Sequence, residues 1–141
     1  MARYALVVAR FYEDLAERLE AGARRVFEAD GGEVDVFDVP GAYELGQAAL
    51  HVARTGRYRG IACLGAVIRG ETDHYDHVCE AASRGVQEAG MASGVPVGFG
   101  VLTVDTREQA LARSGGGKRD TGAGAAEAVL ALAEIRERAA R

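Results

Sequence analysis

The fold is decided by residues 61–74, which read IACLGAVIRGETDH. The first eight of these residues are strand-forming and almost wholly apolar, as is typical of a strand buried in a parallel sheet. A turn at Gly70 ends the strand, and a helical pattern begins at Asp73. Parallel α/β sheets bind ligands beyond such strand ends, and anions bind the unpaired N–H groups of a helix start. The segment therefore predicts a small-molecule site that includes a phosphate.

The same alternation of strand and helix runs through the whole chain. We expect further strands at 4–9, 34–39 and 95–102, and helices at 12–28, after Pro40, and at 73–89, 107–113 and 123–139. Four βα units without a hairpin signal predict an α/β fold. This fold is a three-layer α/β/α sandwich with a four-stranded parallel sheet and flavodoxin-like topology. At 141 residues the chain is expected to form one domain, residues 1–141.

Composition argues against several classes of protein. The 17 basic and 21 acidic residues are intermixed and give a net charge of −4, which disfavours nucleic-acid binding. No apolar run is long enough for a bilayer, so we expect a soluble cytoplasmic protein without membrane contact. Cys63 and Cys79 form no CxxC motif and are interpreted as reduced core thiols. His74 and His77 with Asp73 give only a weak metal signal, because no third histidine and no CxxC motif lies nearby.

Candidate ligand-binding residues follow the predicted strands at one edge of the sheet. Phe11 follows the first strand, where it is either a stacking platform for a planar ring or a hydrophobic staple for the next helix. Gly41 either lets a ligand approach the backbone or serves the turn after Pro40. Glu44 is either a ligand contact or a carboxylate that complements the helix dipole.

The third strand end carries the residue best suited to proton transfer. A histidine such as His74 has an ordinary pKa of roughly 6.5, which suits acid–base chemistry near neutral pH. The backbone N–H groups of Glu71 and Thr72 could hold a phosphate if the nearby carboxylates turn outward. Arg69 and Arg113 are the candidate cations, although from the residues alone Arg113 is better explained as a cation that complements the dipole at a helix C-terminus.

Phe99 lies in the middle of the fourth predicted strand, away from this edge. Within one chain it fills the core or faces a partner. If Phe99 belongs to the ligand site, that site must lie between two subunits.

Several segments together resemble the lumazine synthase family, over nearly the whole chain. The matching segments are 8–11 (VARF), 39–44 (VPGAYE), 64–75 (LGAVIRGETDHY), 95–103 (VPVGFGVLT) and 108–113 (EQALAR). The resemblance implies a transferase of riboflavin biosynthesis that needs no metal or organic cofactor. Its reaction would condense 5-amino-6-(D-ribitylamino)uracil with 3,4-dihydroxy-2-butanone 4-phosphate, giving 6,7-dimethyl-8-ribityllumazine and phosphate.

The resemblance also implies a role for each candidate residue. His74 would shuttle protons, and Phe11 would stack on the pyrimidine. The remaining contacts would be Gly41, Ala42 and Glu44 to the ribityl chain, Ala66, Val67 and Ile68 to the pyrimidine edge, Glu71 and Thr72 to the phosphate, and Phe99 and Arg113 from an adjacent subunit.

Assembly is implied by the resemblance too. Family members form homopentamers, and the short loop after Arg113 favours a 60-subunit icosahedral shell, with riboflavin synthase as its cargo. The family's Asn-Lys-Gly after the glycine-rich loop is Asp120-Thr121-Gly122 here. Lys118 or Arg119 would have to replace that lysine. The alternatives left open are a pyrimidine- or flavin-binding protein or shell protein without turnover, and an electron carrier that holds FMN.

Overall fold

The computed structural model describes residues 1–70, 73–115 and 119–141. Strands and helices alternate along these residues. The strands are β1 (Arg3–Ala9), β2 (Glu33–Val39), β3 (Gly60–Ile68) and β4 (Val97–Val104). The helices are α1 (Glu13–Ala29), α2 (Leu45–Ala53), α3 (His74–Ser93), α4 (Arg107–Ala112) and α5 (Thr121–Ala139), and a 3₁₀ turn, Ala42–Glu44, precedes α2.

All four strands are parallel, in the order β2-β1-β3-β4. This order is the beginning of the flavodoxin-like arrangement. It confirms the predicted four-stranded parallel sheet and the α/β class. Because all strands run the same way, their carboxyl ends meet at one edge of the sheet.

Helices cover both faces of the sheet and create two apolar cores. Alternate residues of β1 belong to different cores: Ala5, Val7 and Ala9 pack with α2 and α3, whereas Tyr4, Leu6 and Val8 pack with α1, α4 and α5. Six consecutive residues of β1, Tyr4 to Ala9, are therefore buried. This burial explains why the strand sequence is a continuous apolar run and does not alternate with polar residues.

Two glycines let α2 and α3 pack closely over β3. A Cβ atom on Gly46 would lie 2.5 Å from the backbone carbonyl carbon of Gly85. Side chains at this crossing would push the helices apart. The close contact matters for function because the beginnings of both helices lie at the carboxyl edge of the sheet.

Several boundaries differ from the sequence-based expectation. Helix α3 continues past Gly90 to Ser93, and Gly94, with φ of 75°, ends it. Strand β4 begins at Val97 and not at Val95, and it continues to Val104 because it pairs with β3 up to Ile68. The segment after Pro40 first forms the 3₁₀ turn and becomes α-helical only at Leu45.

Both cysteines are unpaired, as expected, and Cys63 is fully buried in β3. Burial raises the pKa of the Cys63 thiol to about 12. Cys79 is half-buried in α3. Among the described residues, no helix is long and apolar enough to cross a membrane.

Candidate active site

A cleft of about 520 Å³ lies at the carboxyl ends of β1, β2 and β3. Side chains and backbone from three strand ends and from the start of α3 line it. The lining residues are Phe11, Tyr12, Pro40, Gly41, Ala42, Tyr43, Glu44, Ala66, Val67, Ile68, Gly70, His74, Tyr75 and Val78. The cleft therefore combines a mostly apolar wall with a few polar groups, as small-molecule sites usually do.

Phe11 follows β1 and projects its ring into this cleft region. Its side chain is 75% exposed, and its ring contacts Tyr12 edge to face, with ring centroids 4.9 Å apart. A hydrophobic staple would bury Phe11 against α1, and this exposure contradicts that alternative. An exposed ring held by a second aromatic residue is suited to stacking on a planar ligand.

The turn after β2 brings Gly41, Ala42 and Glu44 to the cleft. The N–H of Gly41 donates a hydrogen bond to Glu44 Oε1 at 3.0 Å, which fixes the carboxylate at the start of the 3₁₀ turn. Gly41 has φ of −144°, an extended conformation that any residue adopts. The conformation of the turn therefore does not require glycine, and the ligand contact of Gly41 stays a prediction.

The end of β3 contributes the floor of the cleft. Val67 is buried against α2 and α3, while Ala66 and Ile68 pack on the opposite face of the sheet. All three nevertheless reach the cleft. Beyond them, the N–H of Arg69 donates to the carbonyl of Val104 at 2.9 Å and so continues the sheet pairing past the strand end.

His74 is the first residue of α3 and lines the cleft. Glu71 and Thr72, predicted to bind phosphate, lie outside the described residues, as does Lys118. The carboxylates of Asp73 and Asp76 are mostly exposed, and that of Asp73 lies 3.3 Å from His77 Nε2. Two of the carboxylates that would repel an anion thus point toward solvent.

The side chain of Arg69 makes its contacts beside the cleft. Its Nε donates to Asp105 Oδ1 at 2.8 Å, and its guanidinium lies 4.2 Å from the ring centroid of Tyr75. The hydrogen bond to Asp105 raises the pKa of Arg69. Burial raises the pKa of Tyr75, so its hydroxyl stays protonated at neutral pH. Arg69 therefore orders the start of α3 and the β4–α4 loop.

Phe99 and Arg113 do not line the cleft of their own chain. Gly98 and Gly100 lie under α5, so Phe99 between them points to the opposite face of the sheet, where it is 41% exposed. Arg113 is the C-cap residue of α4. One chain thus brings seven of the predicted binding residues together with His74 in the cleft, and it places Phe99 and Arg113 elsewhere.

Six lining residues were not among the predicted site residues: Tyr12, Pro40, Tyr43, Gly70, Tyr75 and Val78. All but Val78 are direct sequence neighbours of predicted site residues, and this adjacency was the available signal. Val78 lies one helical turn after His74 in α3. Among the described residues, no group of three or more histidine, cysteine, aspartate or glutamate side chains could hold a metal.

Residues 1–137 match the family model described as 6,7-dimethyl-8-ribityllumazine synthase. This chain belongs to that family. Members of the family are enzymes of riboflavin biosynthesis that catalyse a condensation of small molecules. The cleft at the strand ends is the part of the described structure best suited to such a reaction.

Individual relatives agree with the family match. The chain is 50% identical over 135 residues to the 6,7-dimethyl-8-ribityllumazine synthase of Kineococcus radiotolerans, covering 94% of this chain and 81% of that protein. It is 46% identical over 136 residues to the Salinibacter ruber enzyme, covering 94% and 87%. Identity to the chloroplastic enzyme of Spinacia oleracea is 47% over 137 residues, covering 96% of this chain and 62% of that longer protein.

Proposed function

We propose that this protein condenses 5-amino-6-(D-ribitylamino)uracil with 3,4-dihydroxy-2-butanone 4-phosphate and releases 6,7-dimethyl-8-ribityllumazine and inorganic phosphate. The single observation that carries the proposal is the cleft in which Phe11, the turn after β2, the end of β3 and His74 meet. Its exposed aromatic ring and apolar floor suit a pyrimidine. The family relationship supplies the identity of the substrates. The whole chain, residues 1–141, would act as one lumazine-synthase-like domain.

The proposed roles follow from the chemistry of each group. The Phe11 ring would stack on the pyrimidine, and backbone groups of Ala66, Val67 and Ile68 would bind its polar edge. Gly41, Ala42 and Glu44 would hold the ribityl chain, since they form one wall of the cleft. Glu71 and Thr72 would donate their N–H groups to the phosphate ahead of α3, where the helix dipole favours an anion.

The reaction needs proximity and proton transfer. The amine and the ketone lose water to form an imine, phosphate leaves, and ring closure releases a second water. Holding both substrates in one cleft removes part of the entropic barrier, an effect worth on the order of several kcal/mol. His74 would move protons between the attacking amine, the departing water and the sugar-derived carbon chain, which typically contributes about 10²- to 10⁴-fold in rate.

A shared site between subunits would bring Phe99 and Arg113 to the cleft. Both lie away from the cleft of their own chain, and Phe99 is exposed on the sheet face beside α3. A homopentamer in which a neighbour supplies these residues would complete the phosphate and pyrimidine contacts. The proposal includes closure into a 60-subunit shell, riboflavin synthase as its cargo, and a cytoplasmic location. Two unpaired cysteines are consistent with a reducing compartment.

The decisive experiment supplies purified protein with both substrates and follows lumazine absorbance together with phosphate release. We expect stoichiometric formation of the two products. Tight binding of the pyrimidine without phosphate release would instead indicate a binding or shell protein, and stoichiometric FMN in the purified protein would indicate an electron carrier.

The role of His74 is tested with a matched histidine. His74→Ala should lower kcat by about 10²- to 10⁴-fold. His77→Ala, one turn further along α3 and outside the cleft, should leave kcat unchanged. Full activity of His74→Ala would remove the proton-transfer role.

The shared site is tested by subunit mixing. His74→Ala and Arg113→Ala proteins, each inactive alone, should recover part of the activity when dissociated and reassembled together. Native mass spectrometry would establish that mixed oligomers have formed. Mixed oligomers without activity would argue that the site lies within one chain.

A further inference from the structure

We propose that Arg10 is a positioning residue for the pyrimidine end of the cleft. It joins the carboxyl ends of β1 and β2, and so sets the place of Phe11 relative to the turn that contains Gly41 and Glu44. This inference rests on the proposed function, because it concerns how the proposed pyrimidine contacts are held. Arg10 itself does not line the cleft.

Arg10 is bonded to the end of β2 by both its main chain and its side chain. Its N–H donates to the carbonyl of Val39 at 3.0 Å, and its Nε donates to Asp38 Oδ1 at 2.8 Å. Phe11 follows Arg10 directly, and Pro40 follows Val39 directly. The two bonds therefore connect the points from which the two pyrimidine-facing walls of the cleft depart.

Helix α1 holds the same guanidinium from the other side. Arg10 Nη2 lies 2.6 Å from Glu20 Oε1, and both side chains are mostly shielded from solvent. Arg10 Nη1 lies 3.3 Å from Glu13 Oε1. Each of the three guanidinium nitrogens thus has a carboxylate partner, and the planar fork of arginine is the side chain that can satisfy several such partners in fixed directions.

The guanidinium of Arg10 also offsets the negative charge of the carboxylates that surround it. Behind the cleft, Arg10 lies in a second groove that four carboxylates line, from Glu13, Glu17, Glu20 and Asp38. Arg24 is the other guanidinium of this groove, and it pairs with Glu20 and Glu28 on its own helix. Without Arg10, the carboxylates of α1 and of the β2 end would repel each other across the junction, and the two walls would separate.

The test compares Michaelis constants for the two substrates. Arg10→Ala should raise KM for the pyrimidine substrate on the order of tenfold, since misplaced positioning groups cost up to about 10²-fold. KM for the butanone phosphate should stay within about twofold, because the hydrogen bonds of Arg10 go to α1 and to the end of β2 and not to the described start of α3. Calorimetric titration with the pyrimidine substrate alone should show the same tenfold loss of affinity without relying on turnover.

Three further variants separate positioning from general stability. Asp38→Ala removes only the side-chain link to β2 at an exposed residue, and it should raise the pyrimidine KM in the same direction but less. Arg10→Lys keeps the charge but bonds fewer carboxylates at once, and it should give an intermediate KM. The control is Arg24→Ala, which removes a guanidinium from the same groove without touching a strand end and should leave both constants unchanged.

Salt gives an independent signature of the ion pairs. Raised ionic strength should increase the pyrimidine KM of the wild-type protein, because it screens partly exposed ion pairs. The same salt should have little effect on Arg10→Ala.

The outcomes are distinguishable. Absence of lumazine formation by the wild-type protein would refute the proposed function, whereas an unaltered pyrimidine KM and affinity in Arg10→Ala would refute the role of Arg10 alone. An equal rise in both Michaelis constants would also refute it, by indicating general loss of structure. If Arg10→Ala does not fold, Asp38→Ala decides, and an unchanged pyrimidine KM there counts against the inference.

Discussion

Phe11→Ala should weaken pyrimidine binding strongly while hardly changing the stability of the fold. Burying a phenylalanine side chain fully is worth about 1.5–3 kcal/mol. Because three quarters of the Phe11 side chain is exposed, its removal should lower the unfolding free energy by roughly half a kcal/mol. Stacking of a base on an aromatic ring is worth about 1–3 kcal/mol. Loss of that contact corresponds to a rise in KM of about 5- to 150-fold.

Two measurements on the same protein check this separation. Steady-state kinetics with varied pyrimidine gives KM, and urea unfolding gives the free energy of unfolding. Met91→Ala is the matched control, since Met91 is 76% exposed and lies near the far end of α3, outside the cleft. It should leave KM unchanged and lower stability about as little as the Phe11 variant does.

Two results would refute the reasoning. An unchanged pyrimidine KM in Phe11→Ala would show that the ring is not a stacking platform. A loss of more than about 2 kcal/mol in unfolding free energy would show that Phe11 is a packing residue, because exposed side chains cost far less than that.

Further predictions concern packing and pH. Gly46→Ala should lower the unfolding free energy by about 1–3 kcal/mol in urea denaturation, because its Cβ would meet the backbone of Gly85 in the tightest part of the α2–α3 contact. Gly124→Ala should raise the same quantity by roughly 0.5–1 kcal/mol, because no atom lies within 4 Å of its Cβ and alanine favours a helix; a loss of stability there would contradict this. Burial raises the pKa of the Cys63 thiol from 9.0 to about 12 in the folded protein. The contribution of this group to the unfolding free energy is therefore complete below pH 9.0 and is lost as pH rises toward about 12. Cys63→Ala should therefore flatten the alkaline fall in unfolding free energy between these values, and a fall of equal steepness would exclude the thiol as a cause.

Much of the fold could be predicted from the sequence, because burial in strands and helices produces characteristic spacings of apolar residues along the chain. The apolar run of β1 and the apolar spacing of α1 each predicted the type and approximate position of their element. The predicted end of α3 at residue 89 was too early, because Gly90 lies inside the helix and Gly94, with φ of 75°, ends it. A glycine inside a helix and a glycine that ends one look alike in the sequence, and only the backbone conformation distinguishes Gly90 from Gly94.

The candidate site was predictable to the extent that it lies at strand ends. Parallel strands share one carboxyl edge, so Phe11, Gly41 and His74 could be assigned to one region from their positions after predicted strands. The contribution of Val78 was not predictable from adjacency, because Val78 lies one helical turn after His74 and reaches the cleft only through the packing of α3. The conformation of Gly41 was also undetermined, and its extended backbone shows that the turn does not require glycine.

The sequence by itself determined the class of fold, the edge of the sheet at which the candidate cleft lies and the family, because these depend on local periodicity and on motifs read along the chain. Only the tertiary structure decided which side chains line the cleft, which face Phe99 takes and which carboxylates Arg10 joins. Those contacts connect residues up to tens of positions apart, and their geometry follows from the packing of helices on a twisted sheet. No pattern within one segment encodes that packing.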